Sequence, residues 1–241
     1  MSKIAVIIPV YNEALRLQPE EFTRFVLAHS DVVLFFVNDG SNDQTVELLE
    51  KMKDAVPAFI KVLSLPANKG KANAVRQGIL MALAEGEFSH IGYLDADLST
   101  SVSELYRLYQ YALSNQYDYV LGSRVKLLNT VIERSFSRHI AGRMIATLID
   151  SRYRLGVYDT QCGAKCFTQG LARQFVEQSF FTTWFFDVEI LLRIRKYQPA
   201  SRGAEIPLTA WKDPGNSSIN FFSFPLVVKE IFSLFTHYPA R

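Results

Sequence analysis

Residues 4–13 read IAVIIPVYNE, an apolar, β-branched run that changes to polar residues at its end. The run is too short to cross a bilayer, and it lacks the charged lead and small-residue cleavage site of a signal peptide. Strands that are apolar on both faces are typical of parallel sheets, which are covered on both sides. We therefore predict a buried strand over 3–10 that places Tyr11 and Glu13 beyond its carboxyl end.

Similar apolar runs recur along the first 125 residues, with helical patterns between them. The predicted strands are 3–10, 32–38, 59–65, 90–95 and 118–123. The predicted helices are 43–54, 70–85 and about 101–114. Strands that alternate with helices in this way predict an α/β fold, a mostly parallel sheet with flanking helices.

The composition limits the function classes. The 241 residues are 49% hydrophobic and 21% charged, which excludes a disordered chain. Twenty-six Lys and Arg against 24 Asp and Glu leave a net charge of +2, so we expect no nucleic-acid partner. Cys162 and Cys166 argue against a disulfide framework and favour a reducing compartment. No stretch reaches the ~18–20 uninterrupted apolar residues of a membrane span.

Residues 125–154 are rich in arginine and predict an amphipathic basic helix. Its apolar stripe would consist of Ile132, Phe136, Ile140 and Met144. Arg134 and Arg138 would lie roughly opposite, and Arg143 adds a further positive charge. This helix either packs its stripe on the sheet or lies in a membrane interface with its arginines on anionic headgroups.

Residues 219–237 form an apolar tail that is interrupted by Pro225, Lys229 and Glu230. The side chains that such a tail offers to a membrane interface are Phe221, Phe222, Phe224, Ile231, Phe232 and Phe235. Packing on the sheet or a dimer contact is the alternative. No Pro-, Gly- or Ser-rich linker marks a boundary, so we expect a catalytic domain over 1–210 and a C-terminal, membrane-facing tail of the same domain over 211–241.

Polar residues follow four of the predicted strands. They lie in the segments 9–13 (PVYNE), 38–43 (NDGSND), 95–99 (DADLS) and 122–124 (GSR). Parallel strands end at the same edge of a sheet, and ligands of α/β proteins bind there. We therefore expect one site at this edge.

Asp95 and Asp97 supply the strongest signal at this edge. If the strand continued, one carboxylate would enter an apolar layer, which is costly, so we expect the chain to turn here. Two carboxylates at such a turn suit Mg²⁺ or Mn²⁺, although a capped turn without metal has the same pattern. The segment 68–71, NKGK, leads into a helix and suits an anion, with a solvated loop as the alternative.

The chain lacks the glycine motifs of dinucleotide-dependent oxidoreductases and of P-loop nucleotidases. The run IAVIIPVYNE, followed by FVNDGSNDQT, NKGKANAVRQG and GYLDADLST, resembles the family 2 glycosyltransferases of the Rossmann-like GT-A fold. The later segments LGSR, YDTQCGAKCF and WFFDVEILLRIRK resemble the branch that glycosylates a polyprenyl or dolichyl phosphate, closest to the dolichyl-phosphate β-glucosyltransferases. The resemblance covers residues 3 to about 200.

The resemblance also implies roles for individual residues. The nucleotide base and ribose would be surrounded by Pro9, Tyr11, Glu13 and Asp39, with Lys71 near the base and diphosphate. The metal would be held by Asp95 and Asp97, with Ser99 placed to complete its coordination. Arg124 would reach the acceptor phosphate. The sugar and acceptor side would be lined by Ser123, Asp159, Gln161 and Lys165. Cys162 and Cys166 are interpreted as packing residues, because no motif supplies a base for a nucleophilic thiol.

The implied activity is an inverting transfer of a hexose onto a polyprenyl or dolichyl phosphate, with Mg²⁺ or Mn²⁺ as cofactor. By resemblance the hexose is glucose from UDP-glucose; mannose from GDP-mannose, or a sugar hydroxyl as acceptor, are the alternatives. A sugar-nucleotide pyrophosphorylase and a nucleotide-sugar-binding scaffold without turnover are weaker candidates. The expected location is the cytoplasm, peripherally on the cytoplasmic face of a membrane, and the sequence carries no signal for an oligomeric state.

Asp187 has several interpretations, because it follows the aromatic run Trp184–Phe186 at an apolar helix start. It would be a general base with a raised pKa, an N-terminal cap, or a residue that orients the sugar. A phosphate monoester has a second pKa near 6 and reaches the enzyme as an oxyanion, so it needs no base. We therefore favour the cap and orienting roles.

Overall fold

A computed structural model describes residues 2–86, 88–133, 136–213 and 224–239. Its strands are β1 (Ile4–Val10), β2 (Val32–Asn38), β3 (Ile60–Ser64), β4 (His90–Leu94), β5 (Tyr119–Ser123), β6 (Val131–Glu133), β7 (Ala164–Thr168), β8 (Gly203–Pro207) and β9 (Ala210–Lys212). Its helices are α1 (Pro19–Ala28), α2 (Thr45–Ala55), α3 (Lys71–Glu85), α4 (Val102–Asn115), α5 (Phe136–Tyr153), α6 (Gln169–Val176), α7 (Phe186–Tyr197) and α8 (Phe224–His237).

Seven strands form one mixed, mostly parallel sheet in the order β3-β2-β1-β4-β7-β5-β8. Strand β1 runs parallel to β2 and β4, and β5 runs parallel to β8. Strand β7 is antiparallel to both of its neighbours, β4 and β5, so those two strands point the same way. The α/β prediction is confirmed, and the five predicted strands correspond to β1–β5.

Helices cover both faces of the sheet, as the doubly apolar strands require. One layer holds α1, α2 and α4, whose buried residues include Phe22, Leu49 and Leu108. The opposite layer holds α3, α6 and α7, with Val75 and Phe175 among its buried residues. The sheet is therefore buried from both sides, and its strand ends are left for chemistry.

The predicted stripe of the basic helix is wrong at its first residue and in its packing on the sheet. Ile132 lies in β6, which pairs with β9, so the chain is extended where the helical pattern began. Helix α5 instead buries Ile149 and Tyr153 against α7 and α8. Ile140 and Met144 belong to a different face of α5 and are 42% and 69% exposed. Arg134 lies outside the described residues.

The C-terminal helix packs on the domain. Val227 and Leu234 of α8 are buried in a small cluster with α5 and α7, and Ile231 and Phe235 pack against that cluster. These last two side chains were predicted to enter a membrane interface, but here they contact protein. Phe232 is 69% exposed, whereas Phe221 and Phe222 lie outside the described residues. None of the helices in the described part of the chain is long and apolar enough to cross a membrane.

Candidate functional site

The carboxyl ends of β1, β2, β4 and β5 lie along one edge of the sheet, because these strands are parallel to one another. Each carries one of the predicted residues just beyond or at its end: Tyr11, Asp39, Asp95 and Arg124. Tyr11 is 40% exposed, whereas Pro9, inside β1, is only partly exposed. The predicted gathering of polar side chains at this edge is therefore confirmed at the level of the fold.

Asp39 joins the end of β2 to the loop before α3. Its carboxylate is buried and accepts hydrogen bonds from the backbone N–H groups of Lys69 at 3.0 Å and Gly70 at 2.7 Å. Gly40 follows with a φ of +71°, and a Cβ there would lie 2.6 Å from the carbonyl carbon of Ala67, so glycine is needed for this close approach. Asp39 thus orders the segment 68–71 that the sequence predicted to bind an anion.

Lys71 begins α3, and its Nζ lies 2.5 Å from Oδ1 of Asp95. Burial disfavours the charged lysine, but the carboxylates of Asp95, Asp187 and Asp97 outweigh burial and raise the pKa of Lys71. Both side chains of the pair remain more than one-third exposed. A ligand can therefore reach this cation and this carboxylate together.

The chain turns at Asp97, as predicted. Oδ1 of Asp97 accepts from the backbone N–H of Ser99 at 2.9 Å and from its hydroxyl at 2.7 Å, while Leu98 has a φ of +53°. The Ser99 hydroxyl, which the resemblance placed on a metal, here donates to Asp97. The turn keeps both aspartates of the triplet out of the apolar layer.

Negative charge is concentrated beside this turn. Glu13 forms an ion pair with Arg16 at 2.6 Å, and its Oε2 is buried without a hydrogen-bond partner in the described part of the chain. Burial raises the pKa of Glu13 against the effect of Arg16, and the charges of Asp97 and Asp43 raise it further. A cation at this edge would relieve that repulsion.

Asp95 and Asp97 fit a divalent cation. Mg²⁺ binds through one or two carboxylates together with substrate phosphates and water, and Mn²⁺ takes similar oxygen ligands. The described residues contain no group of three or more His, Cys, Asp or Glu side chains that could hold a metal alone. Asp95 and Asp97 could supply two carboxylate ligands to such an ion, and phosphate oxygens and water are ligands of the kind that could supply the rest.

Gly163 lies against Asp95. A Cβ at position 163 would overlap the Asp95 carboxylate, so the backbone before β7 packs on this side chain as only glycine allows. The neighbouring Cys162 is fully buried, and burial raises the pKa of its thiol to about 11. Burial also raises the pKa of Cys166. Both cysteines are members of the apolar core, which confirms their interpretation as packing residues.

Arg124 forms a two-point ion pair with Asp159. Its Nε and Nη2 donate to the two carboxylate oxygens at 2.7 and 2.8 Å, and its backbone N–H adds a third bond at 3.1 Å. Burial alone would raise the pKa of Asp159, but Arg124 outweighs it and lowers the pKa to about 2. The guanidinium is thereby held in one orientation at the end of β5.

Two buried polar atoms near this pair lack partners. The hydroxyl of Ser123 and Nε2 of Gln161 have no hydrogen bond within the described residues. Unpaired buried polar groups cost free energy and commonly mark a place that a ligand or water completes. Three of the four residues predicted for the acceptor side, Ser123, Asp159 and Gln161, thus accompany Arg124 at one position.

The loop that carries Asp159 is held by Glu205, which sequence reasoning missed, and by Arg143, which the sequence assigned to anionic headgroups. The backbone N–H groups of Tyr158 and Asp159 donate to the carboxylate of Glu205, each at 2.7 Å. Arg143 donates to the Tyr158 carbonyl at 2.6 Å and stacks on the Tyr158 ring. Glu205 lies in β8, which the periodicity did not predict, so no signal in the sequence pointed to it.

The prediction that Lys165 lines the acceptor side is wrong. Its side chain is 0% exposed, because Lys165 lies in the inner strand β7, between Tyr93 of β4 and Leu121 of β5. Nζ donates to Oδ1 of Asp187 at 2.6 Å and to the Cys162 carbonyl at 2.5 Å. Such a buried charge is tolerated only when it is paired and hydrogen-bonded.

Asp187 is therefore part of a buried ion pair. Its Oδ1 also accepts a hydrogen bond from the hydroxyl of Tyr93. Burial raises the pKa of Tyr93 well above its ordinary value, and the negative charge of Asp187 adds to this, so the phenol remains a donor. Asp187 lies one residue into α7, and its recorded hydrogen bonds go to Tyr93 and Lys165, which does not support the predicted cap.

A family model and two relatives with related sequences identify the family of the chain. Residues 5–177 match the family model described as glycosyl transferase family 2. The chain is 31% identical over 234 residues to a protein of Dictyostelium discoideum named dolichyl-phosphate beta-glucosyltransferase, a match that covers 91% of this chain and 69% of that protein. A Drosophila melanogaster protein of the same name is 30% identical over 98% of this chain and 75% of its own length.

Solved structures share the fold. Glucosyl-3-phosphoglycerate synthase of Mycobacterium tuberculosis, in complex with Mn²⁺, uridine diphosphate and phosphoglyceric acid, superimposes with a TM-score of 0.71 at 14% identity. The match covers 100% of this chain and 80% of that one. The same enzyme with Mn²⁺ and UDP-glucose gives a TM-score of 0.70 at 15% identity over 100% of this chain and 80% of that one.

Proposed function

Because the chain belongs to glycosyl transferase family 2, we propose that it transfers glucose from UDP-glucose to a polyprenyl or dolichyl phosphate, with inversion at the anomeric carbon. The observation that carries the proposal is the similarity over nearly the whole chain to two proteins named dolichyl-phosphate beta-glucosyltransferase. The geometry supports it, because an accessible cation–carboxylate pair and a buried arginine–carboxylate pair lie at strand ends along one edge of the sheet.

In this proposal the donor binds on the side of β1, β2 and β4. Pro9, Tyr11, Glu13 and Asp39 surround the nucleoside, and Lys71 faces the diphosphate. Without donor, Lys71 is paired with Asp95. A bound diphosphate offers Lys71 a second anionic partner and leaves Asp95 free for another role.

Asp95 and Asp97 would hold Mg²⁺ or Mn²⁺, with Ser99 beside them. Glucosyl-3-phosphoglycerate synthase, which shares the fold, has been solved in complex with uridine diphosphate and Mn²⁺ or Mg²⁺, which supports this choice. When bound, the ion stabilises negative charge on the leaving diphosphate, an effect worth several kcal/mol. The protein's own contribution is to keep the two carboxylates at a rigid turn beside Gly163.

The acceptor phosphate would meet Arg124, with Ser123 and Gln161 completing the contacts. Asp159 holds the guanidinium in place, so its positive charge is already oriented when the phosphate arrives. A phosphate oxyanion attacks the anomeric carbon directly, and no proton has to be removed from it. Asp187, paired with Lys165, is then a residue that orients its surroundings and is not a base.

We also propose that the protein associates peripherally with the cytoplasmic face of a membrane, where an isoprenoid phosphate presents its head. On α5, Ile140, Met144 and Leu148 recur every four residues, and each is more than 40% exposed. On α8, Phe232 is exposed as well. An apolar stripe of this kind suits the interfacial region of a bilayer.

The transfer is tested with a panel of UDP- and GDP-sugars, radiolabelled in the sugar and offered with polyprenyl phosphate and Mg²⁺ or Mn²⁺. We expect label in the lipid fraction with UDP-glucose alone. Label from GDP-mannose would replace the proposed donor, and transfer to a free glycan in place of the lipid would replace the proposed acceptor.

Membrane association is tested by flotation with anionic liposomes. The variant Met144→Ser/Phe232→Ser should float less than the wild type, and Leu27→Ser, a change at a 67% exposed apolar residue of α1, serves as the matched control. Equal flotation of the wild type and the double variant would contradict the role of these side chains.

A further inference from the structure

Helix α8 carries a carboxylate that faces the interior. Glu230 is buried, although its sequence neighbourhood is an apolar tail in which it is only an interruption. Its Oε1 accepts from the backbone N–H of Thr183 at 3.0 Å and from the Thr183 hydroxyl. Its Oε2 accepts from the backbone N–H groups of Trp184 at 2.8 Å and Phe185 at 3.2 Å. Four donors of one three-residue segment therefore end on this side chain.

The segment 183–185 leads directly into α7. Backbone N–H groups at the start of a helix have no partner within the helix and need acceptors from elsewhere. Glu230 supplies those acceptors from a position 45 to 47 residues further along the chain. Removal of the carboxylate would leave several backbone donors without a partner, which is costly where water is excluded.

The same segment lies near two parts of the proposed donor site. The Cγ2 atom of Thr183 lies 3.7 Å from the place where a side chain on Gly70 would begin, next to Lys71. Two residues beyond Phe185 lies Asp187, the partner of Lys165. The position of the segment thus affects the start of α3 and the start of α7.

We propose that Glu230 is a positioning residue: it holds the segment 183–185 against Gly70 and so keeps Lys71 and Asp187 in place for the donor. The effect on turnover rests on the proposed function, whereas the effect on the segment itself does not. Helix α8 stays anchored by other contacts, since Leu234 is buried and accepts a hydrogen bond from Tyr153. A change at Glu230 is therefore a local perturbation.

The test compares Glu230→Gln with Lys229→Ala, an exposed neighbour on the same helix. A glutamine keeps one acceptor oxygen but turns an N–H₂ group toward backbone donors. We expect faster amide hydrogen exchange at 183–185 and at 69–71, and an affinity for UDP with Mn²⁺ that is about tenfold weaker by calorimetry. Lys229→Ala should change none of these, and Glu230→Gln should remain folded by circular dichroism.

A second variant covers the case in which Glu230→Gln fails to fold. Thr183→Val removes one donor to Glu230 and keeps the backbone, so it should give a smaller change of the same kind. The proposal is overturned if exchange at 183–185 does not rise, or if it rises while exchange at 69–71 and UDP affinity stay unchanged. Failure of the wild type to transfer any sugar would refute the proposed function instead, and the exchange measurements would still decide the role of Glu230.

Discussion

Two ion pairs near the ends of parallel strands differ in their contact with solvent. The side chains of Lys71 and Asp95 are 36% and 38% exposed, whereas those of Arg124 and Asp159 are 13% and 9% exposed. An exposed pair gains little from its own attraction and can exchange its partner for a ligand. A buried pair loses much free energy when one member is removed. The pair on the proposed donor side can therefore exchange its partner for a ligand, whereas the pair on the proposed acceptor side is expected to stay intact.

The largest expected effect is on activity at the donor side. Asp97→Asn should lower the single-turnover rate about a thousandfold, because one of the two carboxylates proposed to hold the metal loses its charge. Its midpoint of thermal unfolding should change little, since the turn is partly exposed. Asp187→Asn, measured on folded protein, should retain much more activity. Equal collapse of both rates would refute the mechanism without a base.

The next effect is on stability at a buried pair. Lys165→Met leaves Asp187 buried without its cation, and we expect a loss of about 3–5 kcal/mol in the free energy of unfolding, measured by urea denaturation. The double variant Lys165→Met/Asp187→Leu should recover part of this loss, because no unpaired charge remains. A loss below about 1 kcal/mol for Lys165→Met would mean that the pair contributes no more than a surface ion pair.

A smaller effect on activity is expected at Gly163, which lies against Asp95. Gly163→Ala places a Cβ on the Asp95 carboxylate, which must then shift away from the metal position. We expect kcat/KM for the donor to fall by about ten- to a hundredfold. Gly170→Ala is the matched control, because a Cβ there meets no atom within 4 Å. A similar kcat/KM for both variants would show that the backbone near Asp95 does not set its position.

The smallest expected effect is on the stability of the fold at low pH. The pKa of Asp159 is lowered from 3.8 to about 2 in the folded protein, so its contribution is present above the unfolded value and is lost as the pH falls. The shift corresponds to roughly 2 kcal/mol, lost between about pH 5 and pH 2. Asp159→Asn should flatten the decline of the unfolding midpoint in this range. Asp54→Asn, an exposed change, should keep the wild-type decline; a variant at 159 that also keeps it would contradict the assignment.

The donor side could be predicted because its signals are local. Asp97, Leu98 and Ser99 form a turn directly after an apolar strand, and both features are visible in one short stretch. Parallel strands then place such turns at one edge without further information. For the same reason β1–β5 were predicted, and their bounds differ by only one or two residues from those in the structure.

Other parts of the molecule could not be predicted because their partners are distant in sequence. Lys165 interrupts the apolar pattern of β7, so the segment resembled a loop, and its partner Asp187 is 22 residues away. Glu230 resembled a break in an apolar tail, because its donors lie 45 to 47 residues earlier, in the segment before α7. The helical stripe through Ile132 failed because pairing with β9 outweighed the local pattern.

The antiparallel strand β7 lies between β4, which is followed by Asp95, and β5, which is followed by Arg124. Neighbouring strands are about 4.8 Å apart, so the ends of β4 and β5 are separated by roughly 10 Å across the sheet. The number of strands between β4 and β5 therefore sets the separation of the proposed donor and acceptor phosphates. Substitutions in the surrounding loops can change which sugar lies between the ends of β4 and β5. The distance between these strand ends would change only if the strand order changed.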